Sequence, residues 1–332
     1  MPDILTHILC GQDTVKCLEN SSWKSIIASK PKIFNLGCQG PDMFLYNDFW
    51  PCIKDKRGLK YGRMMHTQKT GDFLIESISY LNEEEIDKDN FRIIFSYISG
   101  FICHFSLDRN AHPYIHYHAG AHDANKTETR RFAGYHKRLE LIIDTILLNE
   151  RENAESFKYP VYQEIDVGKS LPKSIVRYLA HTIGKVYSPK KIINYINDSY
   201  KDFTTVLKLS YDPSGIKKGL LTVADVVSKD DIAYKTLIYP RKIDSQIDYM
   251  NSSRNIWNHP CNKDETYSHS FYDLYDKAVV ESTDMINAFI AFLENKINIS
   301  QLKEFFPNIS YHTGKIIDEK CELKYYEPIF DR

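Results

Sequence analysis

The stretch CHFSLDRNAHPYIHYH, residues 103–118, holds four of the twelve histidines of the chain together with one aspartate. His104, Asp108 and His112 are spaced four residues apart, so on an α-helix their side chains project from nearly one face. Leaving such polar groups buried without partners costs about 1–3 kcal/mol each. These three side chains must therefore find partners, which can be neighbouring hydrogen-bonding groups, water or a metal ion.

A second pair of potential ligands follows after one loop. His136 and Glu140 are again four residues apart, on a stretch whose apolar stripe is typical of a packed helix. An isolated pair of this kind is more often a surface contact than a ligand pair. Its position favours a ligand role, because this helix follows the first as an antiparallel partner would and its neighbours Tyr135 and Leu139 are core-like.

Three further residues complete the set. His7 lies near the N-terminus, His66 begins another helical pattern, and Asp42 lies in the Gly/Pro turn GCQGPDMF. Singly, each is more simply explained as structural, for example as a cap or a turn residue. Together with the residues above they make five histidines, two aspartates and one glutamate. Nitrogen and oxygen donors without thiolate suit zinc in an open, catalytic arrangement.

The elements that must position these side chains are predicted to be helices, so we expect an all-α fold. The predicted helices span 66–81, 91–107, 131–148, 173–187, 189–209 and 271–297. The helix over 91–107 is apolar nearly all round, as a buried central helix would be. We expect a loop over 118–130 and irregular but packed chain over 238–270.

Composition limits the domain number and the class of partner. The chain has 332 residues, 42% hydrophobic and 26% charged, which is typical of a globular protein of one large domain or two smaller ones. We expect one helical domain over 1–235, with a C-terminal helical extension over 236–332 packed on it. A net charge of −1 and the lack of a dense basic run argue against stable nucleic-acid binding. The oligomeric state is not indicated.

The cellular location is inferred from the cysteines and the N-terminus. Seven cysteines, scattered and without a CxxC pair, are expected to be reduced. Asp3 and His7 lie where a signal peptide would need a basic residue and then an apolar run. No stretch approaches the roughly 18 apolar residues of a membrane span. We therefore expect a cytoplasmic protein.

The order of the potential ligands resembles the zinc-dependent phospholipase C family. The matching motifs are His7, the GPD of Asp42, His66, H-x3-D-x3-H-P over 104–113 and H-x3-E over 136–140. More distantly, the pattern is similar to the single-strand-specific zinc nucleases of the same fold. The resemblance covers residue 3 to about residue 145, and only the combination is specific.

This resemblance implies an all-helical fold with a cluster of three zinc ions. By analogy, one ion would take Asp42, His66, His104 and Asp108; a second would take His112, His136 and Glu140; the third would take His7, a bridging Asp108 and the terminal amine and carbonyl of the chain. Asp42 would also be the catalytic base. The implied activity is hydrolysis of a phospholipid or another organic phosphodiester. The alternatives are a nuclease or nucleotidase of this fold and a non-catalytic protein stabilised by zinc.

Two departures from the family pattern affect the ligand set. Secreted members gain a ligating terminal residue by cleavage, whereas here Met1 precedes Pro2, a favoured context for methionine removal. We therefore predict that Pro2 supplies the terminal amine. The spacing from Asp108 to His112 is also tighter than in secreted members, which makes His116 a rival for His112.

The position of the helix end decides between these rivals. Pro113 is expected to end the helix close to His112. This favours His112 as the ligand and places His116 and His118 in the following loop.

The remaining histidines suggest one other enzyme class. A His-Asp pair, His122 and Asp123, would be the signature of an HD-type phosphohydrolase, but it falls in a segment with loop composition. We expect His118 and His122 to be exposed to solvent. His259, His269 and His312 have no carboxylate partner at ligand spacing and are not predicted to be ligands.

Overall fold

The computed structural model of the protein describes residues 3–50, 53, 58–83, 85–123, 126–188, 192–227 and 234–331. Over these ranges the regular secondary structure is helical apart from one two-stranded antiparallel sheet, which confirms the all-α class. Pro2, the predicted source of the terminal amine, lies outside the described ranges. Residues 189–191, at the start of the helix predicted over 189–209, also lie outside them.

The α-helices are α1 (Ile4–Cys17), α2 (Ser21–Ala28), α3 (Pro31–Gly37), α4 (Leu59–Thr67), α5 (Thr70–Glu83), α6 (Lys88–Ala119), α7 (Arg130–Glu152), α8 (Tyr162–Ile165), α9 (Lys173–Tyr187), α10 (Ile193–Ser210), α11 (Ile216–Val227), α12 (Phe271–Leu293) and α13 (Ile299–Phe305). Short 3₁₀ helices span Gly40–Tyr46, Thr127–Thr129, Ser156–Lys158 and Tyr234–Leu237. The strands are β1 (Trp257–His259) and β2 (Asn262–Tyr267).

Helix α6 is the central element, and α3 and α12 pack closely along it. It is 32 residues long and nearly every side chain from Ile94 onward is buried, as its apolar periphery predicts. Helices α3 and α6 touch at two glycines. A Cβ atom at Gly37 would lie 2.2 Å from the carbonyl oxygen of Tyr97, and one at Gly100 would lie 2.2 Å from that of Phe34. This close approach brings the 3₁₀ segment after α3 against the middle of α6.

The prediction that Pro113 ends this helix is wrong. Helix α6 continues to Ala119 and ends at Gly120, whose φ is +81°. His116 and His118 therefore lie on the helix and are buried, each 8% exposed, instead of lying in a loop. The flanking turns belong to a buried core cluster that includes Ala111, Tyr114, Ile115 and Tyr117. Burial of these turns outweighs the cost of about 3 kcal/mol that a proline imposes within a helix.

Other boundaries also differ from the predictions. The helix predicted over 66–81 is two helices, α4 and α5, because Lys69 adopts a φ of +48° between them. The last long helix ends at Leu293 instead of residue 297. The predicted loop over 118–130 is shortened at both ends by α6 and α7, and the chain over 238–270 contains the β1–β2 hairpin.

The segment after α13 returns to the core of the protein. We call residues 306–317 the C-terminal loop. Within it, an isolated bridge joins Ile309 and Ile316, and the Asn308 side chain accepts hydrogen bonds from the backbone of Gly71 (2.9 Å) and Asp72 (3.1 Å) at the start of α5. Tyr311 is fully buried in the same core cluster as Ile4 and Phe289. The division of the chain at residue 235 stays a prediction.

A disulfide joins Cys261 and Cys321, whose Cα atoms are 5.1 Å apart. The prediction of reduced cysteines is therefore wrong for this pair. The sequence spacing gave no sign of it, because only the fold brings the two residues together. Cys10, Cys17, Cys38 and Cys103 are free. In the part of the chain that the structure describes, no helix has both the length and the apolar character needed to cross a bilayer. The cytoplasmic location stays a prediction.

Candidate metal centre

The eight predicted ligands come from five helical segments that converge on one buried region. His7 lies on α1, Asp42 on the Gly40–Tyr46 segment, His66 at the end of α4, His104, Asp108 and His112 on α6, and His136 and Glu140 on α7. All are buried except His136, whose side chain is 21% exposed. Residues far apart in sequence thus lie together in one buried region.

The ligand atoms of these residues form three groups in which all atoms lie within 4.8 Å of one another. The groups are His7–Asp42–His104, His66–His104–Asp108 and His112–His136–Glu140. The last group has the composition predicted for the second zinc ion. The first two share His104 and do not separate the residues predicted for the other two ions, so the assignment of ligands to individual ions stays a prediction.

Asp108 lies at the centre of the region. Its carboxylate oxygens are 3.2 Å from His104 Nε2, 3.3 Å from His7 Nε2, 3.7 Å from His112 Nδ1 and 3.9 Å from His66 Nε2. The side chain is fully buried, and neither oxygen has a partner with hydrogen-bond geometry. Although burial raises the pKa of this carboxyl, the nearby charge of His104 is the main cause that brings it well below its usual range. A buried carboxylate in this condition is costly unless a cation compensates it.

Three of the histidines are oriented by backbone carbonyls. The Nδ1 atoms of His66, His104 and His112 lie 2.6, 3.1 and 2.9 Å from the carbonyl oxygens of Gly62, Cys38 and Tyr311 respectively. If each Nδ1–H donates to its carbonyl, each Nε2 is left with a lone pair. Metal-ligating histidines are typically held by such bonds. The Nε2 atoms of His104 and His112 are buried without a hydrogen-bond partner.

Gly40 allows the Asp42 segment to lie against the His104 ring. Its φ is +50°, and a Cβ atom there would be 2.2 Å from His104 Cδ2. Only glycine accepts both this backbone conformation and this contact. Asp42 Oδ1 is thereby placed 3.0 Å from His66 Nε2 and 3.9 Å from His104 Nε2.

The first turn of α1, which carries His7, is fixed to α7 by two carboxylates. The backbone amides of Leu5 and Thr6 donate to Asp144 at 2.9 and 2.8 Å. Asp3 caps α1 and pairs with Lys137 Nζ at 3.0 Å. Burial and the nearby charge of Asp3 raise the pKa of Asp144 to about 7. These contacts hold the start of α1 beside His136 and Glu140.

His136 and Glu140 pair directly, with 2.7 Å between Nε2 and Oε1. Burial is the main cause that raises the pKa of Glu140 and lowers that of His136. Lys137 lies 3.9 Å from Glu140 Oε2. Burial alone would lower the pKa of Lys137, but Asp3, Tyr46 and Glu140 raise it well above its usual range. The Lys137 ammonium is therefore charged at neutral pH, and it lies between the carboxylates of Asp3 and Glu140.

Two further histidines lie beside the centre. His116 was predicted to lie in a loop, and His312 was not predicted to be a ligand. The ring centroid of His116 lies 5.6 Å from that of His112 and 4.9 Å from that of His136, so it remains a rival ligand. His312, from the C-terminal loop, lies 5.4 Å from His66 with nearly parallel rings and 5.3 Å from His112. No spacing signal connects His312 with the other residues, because only the fold brings the loop back.

The other histidines have different outcomes. His118 was expected to be exposed but is buried, with its ring 4.3 Å from that of Tyr114. His122 is exposed, and the His122–Asp123 pair lies in non-helical chain. An HD-type site requires this pair on a helix between core residues, so the structure gives it no support.

Acidification is expected to destabilise the metal-free protein. Burial lowers the pKa of a set of histidines below 6.5, namely His7, His112, His116, His136 and His312. Below about pH 6.5 the unfolded chain therefore binds protons that the folded chain does not, and the free energy of unfolding falls by up to about 1.4 kcal/mol per pH unit for each group. The raised pKa values of His104, Asp144 and Glu140 act in the opposite direction, but these groups are fewer than the five histidines.

This expectation is tested by urea unfolding with a chelator present at pH 8, 6.5 and 5. The midpoint should change little from pH 8 to 6.5 and fall from 6.5 to 5. A midpoint that rises on acidification would contradict the buried, neutral state of these histidines.

Comparisons with known proteins add one finding. Neither the curated proteins nor the solved structures gave a match. A family model described as zinc dependent phospholipase C matches residues 6–208, which is more than half of the 332 residues and includes all eight predicted ligands. The chain belongs to the zinc-dependent phospholipase C family.

Proposed function

We propose that the protein is a zinc-dependent hydrolase that cleaves a phospholipid or another organic phosphodiester. Membership of the family supports a zinc-dependent phosphodiesterase-type activity. The observation that carries the proposal is the buried Asp108 carboxylate, which four imidazoles surround at 3.2–3.9 Å without satisfying its oxygens.

The residues of the centre fit zinc in their chemistry and in their unmet bonding needs. Imidazole and carboxylate donors are those that catalytic zinc prefers. The buried atoms without a hydrogen-bond partner include both ring nitrogens of His7, Nε2 of His104 and His112, and both oxygens of Asp108. We propose that Asp42, His66, His104 and Asp108 hold one ion, that His112, His136 and Glu140 hold a second, and that His7 and Asp108 contribute to a third.

The chain's own residues provide binding and proton transfer. Bound zinc would supply a water of lowered pKa and positive charge that neutralises the phosphate oxygens. In the proposal Asp42 holds the attacking water by a hydrogen bond and accepts its proton, with Asp42 Oδ1 kept in place 3.0 Å from His66 Nε2. The Gly40–Tyr46 segment fixes this carboxylate because it lies against the His104 ring.

The group with His112, His136 and Glu140 favours a catalytic over a purely structural role. It has three protein donors. Structural zinc sites usually close with four protein ligands, whereas catalytic sites keep a position open for water or substrate. The partial exposure of His136, at 21%, also gives this side of the centre access to solvent.

The test is an activity assay on protein loaded with zinc, stripped by a chelator and reloaded. The substrates are phosphatidylcholine vesicles, bis(p-nitrophenyl) phosphate and single-stranded DNA. We expect hydrolysis of at least one of the first two, its loss on stripping, and its recovery with zinc but not with magnesium. Cleavage of DNA alone would indicate the nuclease alternative. Tight zinc binding without hydrolysis of any substrate would indicate a structural role.

A further inference from the structure

The C-terminal loop supplies a histidine to the candidate centre from outside the family match. The match ends at residue 208, whereas His312 lies more than a hundred residues later in the chain. The His312 ring centroid lies 5.4 Å from that of His66 and 5.3 Å from that of His112. For comparison, His66 and His104, which share one ligand group, are 6.0 Å apart. His312 thus lies as close to the ligands as they lie to one another, at the boundary between two groups.

The backbone of the neighbouring Tyr311 fixes this position. The Tyr311 amide donates to the carbonyl of His66 at 3.0 Å, and its carbonyl lies 2.9 Å from Nδ1 of His112. Tyr311 is fully buried, with its ring 5.7 Å from that of His104. On the other side, the carbonyl of Thr313 lies 2.9 Å from Nε2 of His259. The residues on both sides of His312 are therefore anchored, two of the contacts being to predicted ligands.

His312 differs from the central ligands in its access to solvent. His66, His104, Asp108 and His112 are 0% exposed, whereas His312 is partly exposed. A substrate that enters from solvent could therefore contact it. An imidazole ring carries at least one N–H donor in either protonation state, so His312 can donate a hydrogen bond to an anionic oxygen.

We propose that His312 binds the phosphate group of the substrate and donates an N–H hydrogen bond to a phosphate oxygen between the two ligand groups. This inference rests on the proposed function, because it takes the phosphate of a diester as the ligand of the centre. It assigns a part in substrate binding to the C-terminal loop, which lies outside the family match over residues 6–208.

The experiment compares the zinc-loaded full-length protein with His312→Ala, His312→Gln and the control His122→Ala, which removes an exposed histidine from a non-helical segment. Binding of inorganic phosphate is measured by calorimetry, zinc per chain by mass spectrometry, and KM and kcat with bis(p-nitrophenyl) phosphate. For His312→Ala we expect unchanged zinc and a phosphate Kd and KM raised by about 10- to 100-fold, since a hydrogen bond to a charged group is lost. His312→Gln should recover part of this affinity through its amide N–H, and His122→Ala should match the wild type.

Several results would overturn the inference. One is an unchanged phosphate affinity in His312→Ala, and another is a fall in zinc content, which would make His312 a ligand. Equal loss of affinity in both His312 variants with a lowered thermal midpoint would make its role structural. If the zinc-loaded wild type binds phosphate but hydrolyses no diester, the proposed function fails, while the phosphate titrations still decide the role of His312.

Discussion

Replacing Asp108 with asparagine is expected to lower kcat/KM by about 10³-fold or more and to remove at least one zinc ion per chain. Loss of a residue that merely orients a ligand typically costs 10- to 100-fold in metal affinity or activity. Asp108 contacts four predicted ligands directly, at 3.2–3.9 Å, so its carboxylate should matter more. The asparagine amide has the same size and keeps the packing, but it removes the negative charge that compensates the bound zinc ions.

The measurements are zinc per chain and the rise in thermal midpoint when zinc is added to stripped protein. Both should be smaller in Asp108→Asn than in the wild type. Asp89→Asn is the matched control, because Asp89 lies in the first turn of the same helix with its side chain 66% exposed. Full zinc content together with full activity in Asp108→Asn would exclude Asp108 from the metal centre.

Replacing Asp42 with asparagine is expected to lower kcat by about 10²- to 10⁴-fold, the range for loss of a general base. In contrast to Asp108→Asn, zinc content and thermal midpoint should stay near the wild-type values, because the amide oxygen remains a possible donor and His66, His104 and Asp108 still hold that ion. The asparagine keeps an oxygen atom in the position of Asp42 Oδ1, 3.0 Å from His66 Nε2, but its amide cannot accept the proton of water. KM should change less than kcat, because the variant retains the proposed contacts of the zinc ions and His312 with the phosphate.

Steady-state kinetics combined with zinc analysis on the same samples checks this result. Asp89→Asn again serves as the control for an acid-to-amide change. If zinc content and activity fall in parallel in Asp42→Asn, then Asp42 acts as a ligand alone and the base must be sought elsewhere.

The sequence predicts best those parts of the site that depend on local geometry. The projection of His104, Asp108 and His112 from one helix face follows from helical periodicity, and the structure places them so. The positions of His7, Asp42 and His66 could be expected only through the family resemblance, because no local rule relates residues on separate elements.

The failures have physical causes that local patterns do not contain. The rule that proline ends a helix assumes a helix with little tertiary support, whereas Pro113 lies among turns buried in the core. The apolar periodicity over 66–81 continues across Lys69 although the backbone turns there. His312 reaches the centre through contacts of Tyr311 with residues 66 and 112, a separation over which sequence spacing carries no information.

The disulfide between Cys261 and Cys321 has a consequence for the freedom of the chain around His312. Its two cysteines are 60 residues apart and enclose α12, α13 and the C-terminal loop in one covalent ring. Closing a ring of this size removes about 4 kcal/mol of conformational entropy from the unfolded chain. Within the ring, the loop cannot separate far from the hairpin even when its hydrogen bonds open. The disulfide therefore raises the effective concentration of His312 at the centre. It also lowers the entropic cost of closing the C-terminal loop again after its hydrogen bonds have opened.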